Sequence, residues 1–399
     1  MPTKETVELM SPAKKIASLE AVASFADAVY FGTSDFNLRA NSESLSLDDL
    51  NTFMAKCHEK EMRGYMTVNS TLYNIDLGKI DDLMRKAKKA RVDAVIVWDP
   101  AAIEAAKKEG IDFFISTQAN VSNWKAVNFY RSLGAKRVIL AREVSLDQVK
   151  EIKKKTDFEI ECFVHGAMCL AISGRCILSG FYEGSSANRG ACTQICRRKF
   201  RFVDQNKNVI EADERCFFSP KDICMIEYIP EMIESGIDSF KIEGRQKSTR
   251  YARETAKYYR KAIDSYFEGT FSKKRAKKWK RHLKKVYNRK FSTGFYFGTP
   301  GAEGITFDSG SASDLKRTRI GFVDHFYTDS EVAVVNLKEG GMEVGNRIII
   351  EGETTYLEQE VESLEIENES VQKATKGEKV GLKTKKKVRE NDEVYRLIE

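Results

Sequence analysis

Short apolar segments alternate with amphipathic segments over the first 250 residues of the chain, and this alternation restricts the fold more than any other feature. The apolar segments are rich in β-branched and aromatic residues and occupy 7–10, 28–32, 65–69, 94–99, 113–118, 138–142, 160–164 and 240–243. Helical patterns lie between most of them, for example over 80–90 and 101–109. Continuous apolar segments separated by helices predict parallel strands that are buried on both faces.

Eight such strands predict an α/β fold of the (β/α)₈ TIM-type barrel class, with one long insertion between the seventh and eighth strands. A doubly wound open sheet is the alternative, although no G-x-G-x-x-G motif follows an early strand. From about residue 318 the pattern changes to short alternating strands, which predict a small all-β barrel. We therefore expect three regions along the chain. They are a barrel over 1–268 with a Cys-rich insertion at 165–224, a basic segment and Gly/Ser linker over 269–317, and a small β-barrel domain over 318–399.

Polar residues stand where the predicted strands end, and the carboxyl ends of barrel strands face the active site. A single polar residue at a strand end is usually the start of a loop, but five or more such ends indicate a convergent site. We expect catalytic roles for His165, Glu243 and Arg142, with His165 transferring protons. The residues expected to bind substrate are Asn69, Gln118, Lys241 and Arg245.

Seven of the eight cysteines fall between residues 162 and 224. Cys169, Cys176, Cys192 and Cys196 are spaced C-x6-C-x15-C-x3-C among glycines and arginines, whereas structural zinc sites usually pair their ligands as C-x2–4-C. Four soft thiolates gathered from loops suit an iron–sulfur cluster. The alternative is a set of buried, inert cysteines, and Cys216 or Cys224 could replace Cys196 as the fourth ligand.

Positive charge is concentrated in one region of the sequence. Residues 241–290 contain 19 Lys and Arg against 4 Asp and Glu, so this region carries +15 and the other 349 residues sum to −8. A solvated helix face is one explanation for such a run. The other is a surface that tracks the phosphates of a nucleic acid, and it predicts RNA-binding roles for Lys277, Lys278, Arg281 and Lys284.

Several classes of protein are disfavoured by the sequence. No segment approaches the roughly 18 apolar residues of a membrane span, and the polar start of the chain does not resemble a signal peptide, so we expect a cytoplasmic protein without a membrane partner. Neither H-E-x-x-H nor G-x-S-x-G is present, so the two common hydrolase signatures are missing. A Cys/His pair such as Cys169 with His165 remains a conceivable nucleophile.

Three sequence blocks resemble the collagenase-like U-type peptidase family. They are residues 161–179, residues 188–197 (Asn-Arg-Gly-Ala-Cys-Thr-Gln-Ile-Cys-Arg) and residues 241–248 (Lys-Ile-Glu-Gly-Arg-Gln-Lys-Ser). Weaker similarity lies at 11–13, 27–32 and 67–69. Lys14 and Lys15 depart from the family, which commonly has Gly-Asn there, so we expect part of the first loop to differ.

This resemblance implies a function that the peptidase label does not describe. Several family members resemble hydroxylases of RNA or of quinone precursors that carry a [4Fe–4S] cluster, and the branch most similar to this chain contains prephenate-dependent tRNA wobble-uridine hydroxylases. By resemblance, Cys169, Cys176, Cys192 and Cys196 would hold the cluster, tRNA and prephenate would be the partners, and 5-hydroxyuridine the product. Alternatives are a collagenase-like peptidase, an rRNA cytidine hydroxylase and a non-catalytic RNA-binding iron–sulfur protein.

Overall fold

The computed structural model describes residues 7–38, 44–201, 203–207 and 216–398. The first six residues, on which the expected absence of a signal peptide depends, lie outside the described part. Eight parallel strands form the centre of the first domain: β1 (Glu8–Pro12), β2 (Ala28–Gly32), β3 (Arg63–Val68), β4 (Ala94–Val97), β5 (Phe113–Ile115), β6 (Arg137–Ile139), β7 (Glu159–Gly166) and, after the short strand β8 (Asp222–Cys224), β9 (Ser239–Ile242).

The sheet closes into a barrel. Each of β1 to β7 pairs in parallel with the next strand, and β9 pairs in parallel with both β7 and β1. The strands are short and almost entirely buried, because side chains fill the barrel inside and helices cover it outside. The predicted TIM-type barrel is confirmed, and the open sheet is excluded because no barrel strand has a free edge.

Ten α-helices connect or flank the strands within the described residues. They are α1 (Ile16–Val22), α2 (Leu50–Glu59), α3 (Leu77–Lys89), α4 (Pro100–Glu109), α5 (Trp124–Ser132), α6 (Leu146–Lys155), α7 (Leu178–Glu183), α8 (Ile229–Glu234), α9 (Thr249–Phe267) and α10 (Lys273–Lys284). N-cap residues define where two of these helices begin. The Asp99 carboxylate accepts a hydrogen bond from Ala101 N at 3.0 Å, and Ser145 forms a capping box with Gln148. None of the described helices is both long and apolar enough to cross a bilayer.

The insertion between β7 and β9 carries the cysteine-rich sequence. It contains the 3₁₀ turns Ile172–Gly174, Ala187–Arg189 and Ile195–Arg197 together with α7. Strand β8 pairs antiparallel with the end of β7, and β10 (Phe291–Ser292) pairs with β8. The insertion is therefore anchored to the carboxyl end of a barrel strand.

A second unit contains the described residues 313–398 and the segment 15–21. Its strands are β11 (Lys316–Tyr327), β12 (Val332–Asn336), β13 (Met342–Glu343), β14 (Arg347–Glu351), β15 (Tyr356–Glu360), β16 (Leu364–Ile366), β17 (Glu369–Val371), β18 (Lys373–Ala374), β19 (Lys379–Lys383) and β20 (Glu393–Ile398). Eight of them form one antiparallel sheet in the order β15-β14-β20-β11-β12-β19-β16-β17, and β13 pairs with β18. Ile320, Val335, Ile348, Ile350 and Val394 belong to its fully buried core. This confirms the predicted all-β domain.

The stretch over 269–317, which we expected to be a basic segment and a linker, is mostly part of the first unit. The first unit extends to Ala312. Within it α10 buries one side, β10 adds to the barrel sheet, and Ile305 bridges to Pro220. Glycine, serine and threonine in this stretch therefore reflect tight turns on the barrel surface rather than a free connection.

Candidate active site at the carboxyl end of the barrel

One cavity of about 300 Å³ lies at the carboxyl ends of the barrel strands and is lined by residues of the strand ends and of the insertion. It receives six of the seven polar residues that the strand-end pattern selected, and all four cysteines of the C-x6-C-x15-C-x3-C spacing. These ten residues are Asn69, Gln118, Arg142, Lys241, Glu243, Arg245, Cys169, Cys176, Cys192 and Cys196. Parallel strands in a closed barrel bring residues from distant parts of the sequence to this one end.

Asn69 and Gln118 form a hydrogen-bonded amide pair after β3 and β5. Asn69 Nδ2 donates to Gln118 Oε1 at 3.0 Å and to Ser116 Oγ at 3.1 Å, and Asn69 Oδ1 accepts from Leu38 N at 3.3 Å. Both amides are buried, so these bonds fix their orientation. Gln118 Nε2 has no partner among the described residues and remains available as a donor.

Arg142 follows β6 and presents a guanidinium to the cavity. Its Cζ lies 4.0 Å from the centre of the Phe163 ring, which holds the guanidinium plane by a cation–π contact. Its Nε is buried and has no hydrogen-bond partner among the described residues. The guanidinium as a whole lines the cavity, so its positive charge is suited to pair with an anionic ligand there.

Lys241 is held by a chain of buried charges inside the barrel. Its Nζ donates to Glu161 Oε1 at 2.8 Å, and Glu161 Oε2 accepts from Arg137 at 3.1 Å. Arg137 also pairs with Glu8 on β1. Burial lowers the pKa of Lys241, while Glu161 opposes that shift by stabilising the ammonium form. The ammonium group is therefore fixed at the base of the cavity.

Glu243 and Arg245 follow β9, and other strands hold each in place. Glu243 Oε2 accepts from Ala167 N at 3.3 Å, and Arg245 donates to Asn37 at 3.0 Å and to Thr67 at 2.6 Å. Gly166 has a φ of +105° and a Cβ there would lie 2.4 Å from the Glu243 carbonyl oxygen, so only glycine lets β7 and β9 end this close together.

The structure does not bring His165 into the cavity, which corrects our expectation that it transfers protons there. A register shift between Phe163 and His165 places two residues of β7 opposite one of β9, so the side chain turns away from the barrel interior. The imidazole is 1% exposed, lies among Tyr251, Tyr259 and Phe291, and Nδ1 is 3.3 Å from the Tyr259 hydroxyl. Burial lowers its pKa to about 3, so the ring is neutral.

The four spaced cysteines differ from the others in their surroundings. Cys169, Cys176, Cys192 and Cys196 are partly exposed and line the cavity, whereas Cys57, Cys162, Cys216 and Cys224 are buried and do not line it. Burial raises the pKa of the Cys196 thiol, Arg197 opposes this, and charges on the other three lining thiols would raise it further. The four sulfur atoms thus lie near enough to interact electrostatically. No group of three or more His, Cys, Asp or Glu in the described residues is arranged to hold a single metal ion.

Lys247 and Arg289 line the cavity and were not selected from the sequence, whereas Arg197, which also lines it, is one of the arginines that the sequence places beside the cysteines. Lys247 lies 3.2 Å from the centre of the Tyr287 ring, and burial lowers its pKa to about 8 against the opposing charges of Glu243 and Asp222. Arg197 donates to Ser219 Oγ at 3.0 Å, and Arg289 donates to Gln194 at 3.0 Å. Lys247 lies within the 241–248 block, so its position after a predicted strand could have identified it.

The four predicted RNA-binding residues lie on α10, away from the cavity lining. Ala276, Trp279 and Leu283 form the buried side of this helix, and Lys277, Lys278, Arg281 and Lys284 are exposed. These four charged groups have no ion-pair partner in the described part of the chain. By contrast, Lys273 pairs with Glu231, and Lys280 with Glu227.

Fold and site together define a class: a (β/α)₈ barrel protein with a thiol-lined, cation-rich cavity where barrel enzymes have their active sites. The sequence places it more narrowly. Residues 15–306 match Peptidase family U32, and the chain belongs to that family.

Relatives of known name carry two kinds of description. The chain is 41% identical to the "Uncharacterized protease MJ0090" of Methanocaldococcus jannaschii, over 98% of both chains. It is 36% identical to a "Collagenase" of Porphyromonas gingivalis, over 98% of this chain and 97% of the relative. It is also 36% identical to the "tRNA hydroxylation protein P1" of Bacillus subtilis, over 83% of this chain and 80% of the relative.

Proposed function

We propose that this protein is an iron–sulfur-dependent tRNA hydroxylase that acts at C5 of the wobble uridine and uses prephenate as co-substrate. The observation that carries the proposal is the convergence of four partly exposed thiols on one cavity at the catalytic end of a barrel. The name of the Bacillus subtilis relative supports RNA hydroxylation as the reaction class. The uridine target and prephenate rest on the sequence resemblance.

The donor set fits a [4Fe–4S] cluster better than a single ion. A cluster is bound at its corners by separate thiolates, so its ligands surround a volume rather than one point. Cys196 lines the cavity with the other three thiols, whereas Cys216 and Cys224 are buried and do not line it, which favours Cys196 as the fourth ligand. When bound, such a cluster supplies redox chemistry that side chains lack.

Cationic side chains suit the two carboxylates of prephenate. Arg142 and Arg245 each bring a guanidinium to the cavity lining, and Lys241 is fixed as an ammonium group by Glu161. Hydrogen bonds between ionised partners are about twice as strong as neutral ones. These residues would orient a dicarboxylate beside the thiols.

The amide pair suits a pyrimidine base. Gln118 Nε2 is available to donate to a base carbonyl, and Asn69 holds the Gln118 side chain in place. Glu243 and Lys247 line the same cavity and are the groups able to exchange a proton with a bound base. A base in a duplex cannot reach such a cavity, so the target must be unpaired or turned outward.

Two measurements test the proposal in sequence. The protein is purified without oxygen and its iron, sulfide and absorption spectrum are recorded. Nucleosides of tRNA and rRNA from a deletion strain are then quantified by mass spectrometry, with the wild-type gene and a Cys176→Ala gene restored separately. We expect about four irons per chain and loss of 5-hydroxyuridine derivatives that only the wild-type gene restores.

Other outcomes would select the alternatives. Loss of hydroxycytidine from rRNA alone would identify an rRNA cytidine hydroxylase. An iron-loaded protein whose deletion leaves every nucleoside unchanged would indicate a non-catalytic RNA-binding protein. An iron-free chain would refute the central claim.

A peptidase is the second candidate, because two of the relatives are named as a protease and a collagenase. The cavity argues against a cysteine protease. None of the four histidines, all in the described part of the chain, lines the cavity, and His165 is buried. Hydrolysis of gelatin by iron-free protein, abolished in Cys169→Ser, would favour the peptidase.

A further inference from the structure

Three apolar side chains of the insertion project into solvent beside the cavity. Phe181 is 81% exposed, Tyr182 69% and Ile177 65%. We refer to these three residues as the aromatic platform. Neither ring contacts another aromatic ring among the described residues. Exposed apolar clusters of this kind often mark contact surfaces, because apolar surface is unfavourable in water and is buried when a partner binds.

The aromatic platform is continuous with the candidate active site. Ile177, Phe181 and Tyr182 line a shallow pocket together with Ala171, Cys176 and Leu178. The last three residues also line the deep cavity. A molecule that extends out of the cavity over Cys176 would therefore pass directly onto the rings.

A positive charge accompanies the rings. Arg175 lines the same shallow pocket, and its guanidinium lies 5.4 Å from the centre of the Trp98 ring. It is exposed and has no ion-pair partner within the described ranges. Aromatic faces beside an unpaired cation are the elements that bind single-stranded nucleic acid, the rings by stacking and the cation by phosphate contact.

We propose that the aromatic platform stacks unpaired bases of an RNA loop that flank the nucleotide in the cavity. This inference rests on the proposed function and adds the surface that would hold the loop open. A folded protein partner fits less well, because each side of a stable interface buries about 800 Å² whereas one ring face suffices for one base.

The test measures RNA binding by the full-length, anaerobically purified protein. The probe is a hairpin RNA with 2-aminopurine beside the loop uridine, and the comparison is a duplex of the same stem. The variants are Phe181→Leu and Tyr182→Leu, which keep an apolar side chain, and Tyr182→Phe, which keeps the ring. Since both side chains are exposed, we expect all three variants to fold.

We expect each Leu variant to weaken hairpin binding at least about fivefold and to reduce quenching of 2-aminopurine. Tyr182→Phe should bind like the wild type, and duplex affinity and the salt dependence should be unchanged because phosphate contacts remain. Unchanged hairpin affinity in both Leu variants, with normal wild-type binding, would overturn this inference alone and would point to a protein partner. A wild-type protein that binds no RNA would overturn the proposed function as well.

Discussion

Four charged residues inside the barrel affect both the stability of the fold and the geometry of the candidate site. Glu8, Arg137, Glu161 and Lys241 are all buried, and each is within ion-pair distance of another member. Buried charges remain ionised only when they are paired, so loss of one partner leaves another uncompensated. The same network that allows ions inside the core fixes Lys241 at the base of the cavity.

The first prediction concerns this network. Glu161→Gln should lower the free energy of unfolding by about 3 kcal/mol, because the buried Lys241 then loses its carboxylate partner and Arg137 keeps only Glu8 and the half-exposed Glu159. Glu159→Gln is the matched control: its carboxylate also pairs with Arg137 but is 52% exposed, and we expect a loss of at most about 1 kcal/mol. Urea unfolding measures both. Equal effects of the two substitutions would contradict the assigned network.

The second prediction concerns the thiols. Cys176→Ala and Cys196→Ala should each remove most of the iron from anaerobically purified protein, because a cluster needs all its thiolates. Cys216→Ala is the control, since Cys216 is buried and does not line the cavity. Iron analysis and visible absorption are the readouts. Full iron content in Cys196→Ala together with its loss in Cys216→Ala would reverse the assignment of the fourth ligand.

The third prediction follows from the pKa of His165, which burial lowers to about 3 from 6.5. Between these values the unfolded chain binds a proton that the folded chain does not, so acidification below pH 6.5 favours unfolding. This contribution to stability is complete above pH 6.5 and declines by about 1.4 kcal/mol per pH unit until the folded group titrates. His165→Phe should flatten the pH dependence by that amount in urea unfolding between pH 4 and 6. Parallel curves for the two proteins would contradict it.

At the scale of secondary-structure elements, the position of a residue on its helix decides whether its side chain is buried or exposed, as α10 shows. The sequence of α10 is almost continuously basic. Ala276, Trp279 and Leu283 nevertheless recur at helical spacing, and they form the buried side of the helix. The charges on that helix therefore separate into paired and unpaired groups. Only the unpaired groups retain the full counterion atmosphere that RNA binding would release.

The fourth prediction uses this separation. A triple substitution of Lys277, Lys278 and Arg281 by Gln should weaken tRNA binding and reduce the slope of log affinity against log salt by about 2. The control is Lys273→Gln with Lys280→Gln, which removes charges already paired with Glu231 and Glu227. A filter-binding titration over a range of salt concentrations measures both. Slopes that do not differ between the two variants would show that α10 is a solvated face.

At the scale of the whole molecule, the insertion is anchored to the barrel by the antiparallel pairing of β8 with the end of β7. Its cysteine-bearing part contains short 3₁₀ turns and one six-residue helix, α7, rather than long helices or strands. A ligand that binds only the folded state adds stability to the segment that holds it. Four cysteines distributed over this segment would connect its turns through one cluster.

The fifth prediction tests this dependence. Oxidative removal of the cluster, followed by chelation of the released iron, should lower Tm and expose the insertion to limited proteolysis while the barrel resists. Differential scanning fluorimetry and mass mapping of the first cleavage sites measure the two effects. First cleavages outside the insertion, or a Tm that does not change, would disagree with a cluster held by these four thiols.

The sequence by itself determined the elements and the set of candidate residues. Alternation of apolar and amphipathic segments depends on local burial, so the eight barrel strands and the β domain could be predicted. Cysteine spacing and polar strand ends likewise singled out residues that meet at one cavity, because the ends of parallel strands share one side of a barrel.

Only the tertiary structure decided where individual side chains point and which charges are paired. A one-residue bulge in β7 turned His165 away from the cavity, and nothing in the local sequence marks that shift. Lys247, Arg197 and Arg289 reach the cavity from separate elements, so their proximity depends on packing. The local pattern of apolar and polar residues predicts which face of a segment is buried. The orientation of a side chain at a site depends instead on contacts between residues that are far apart in the chain.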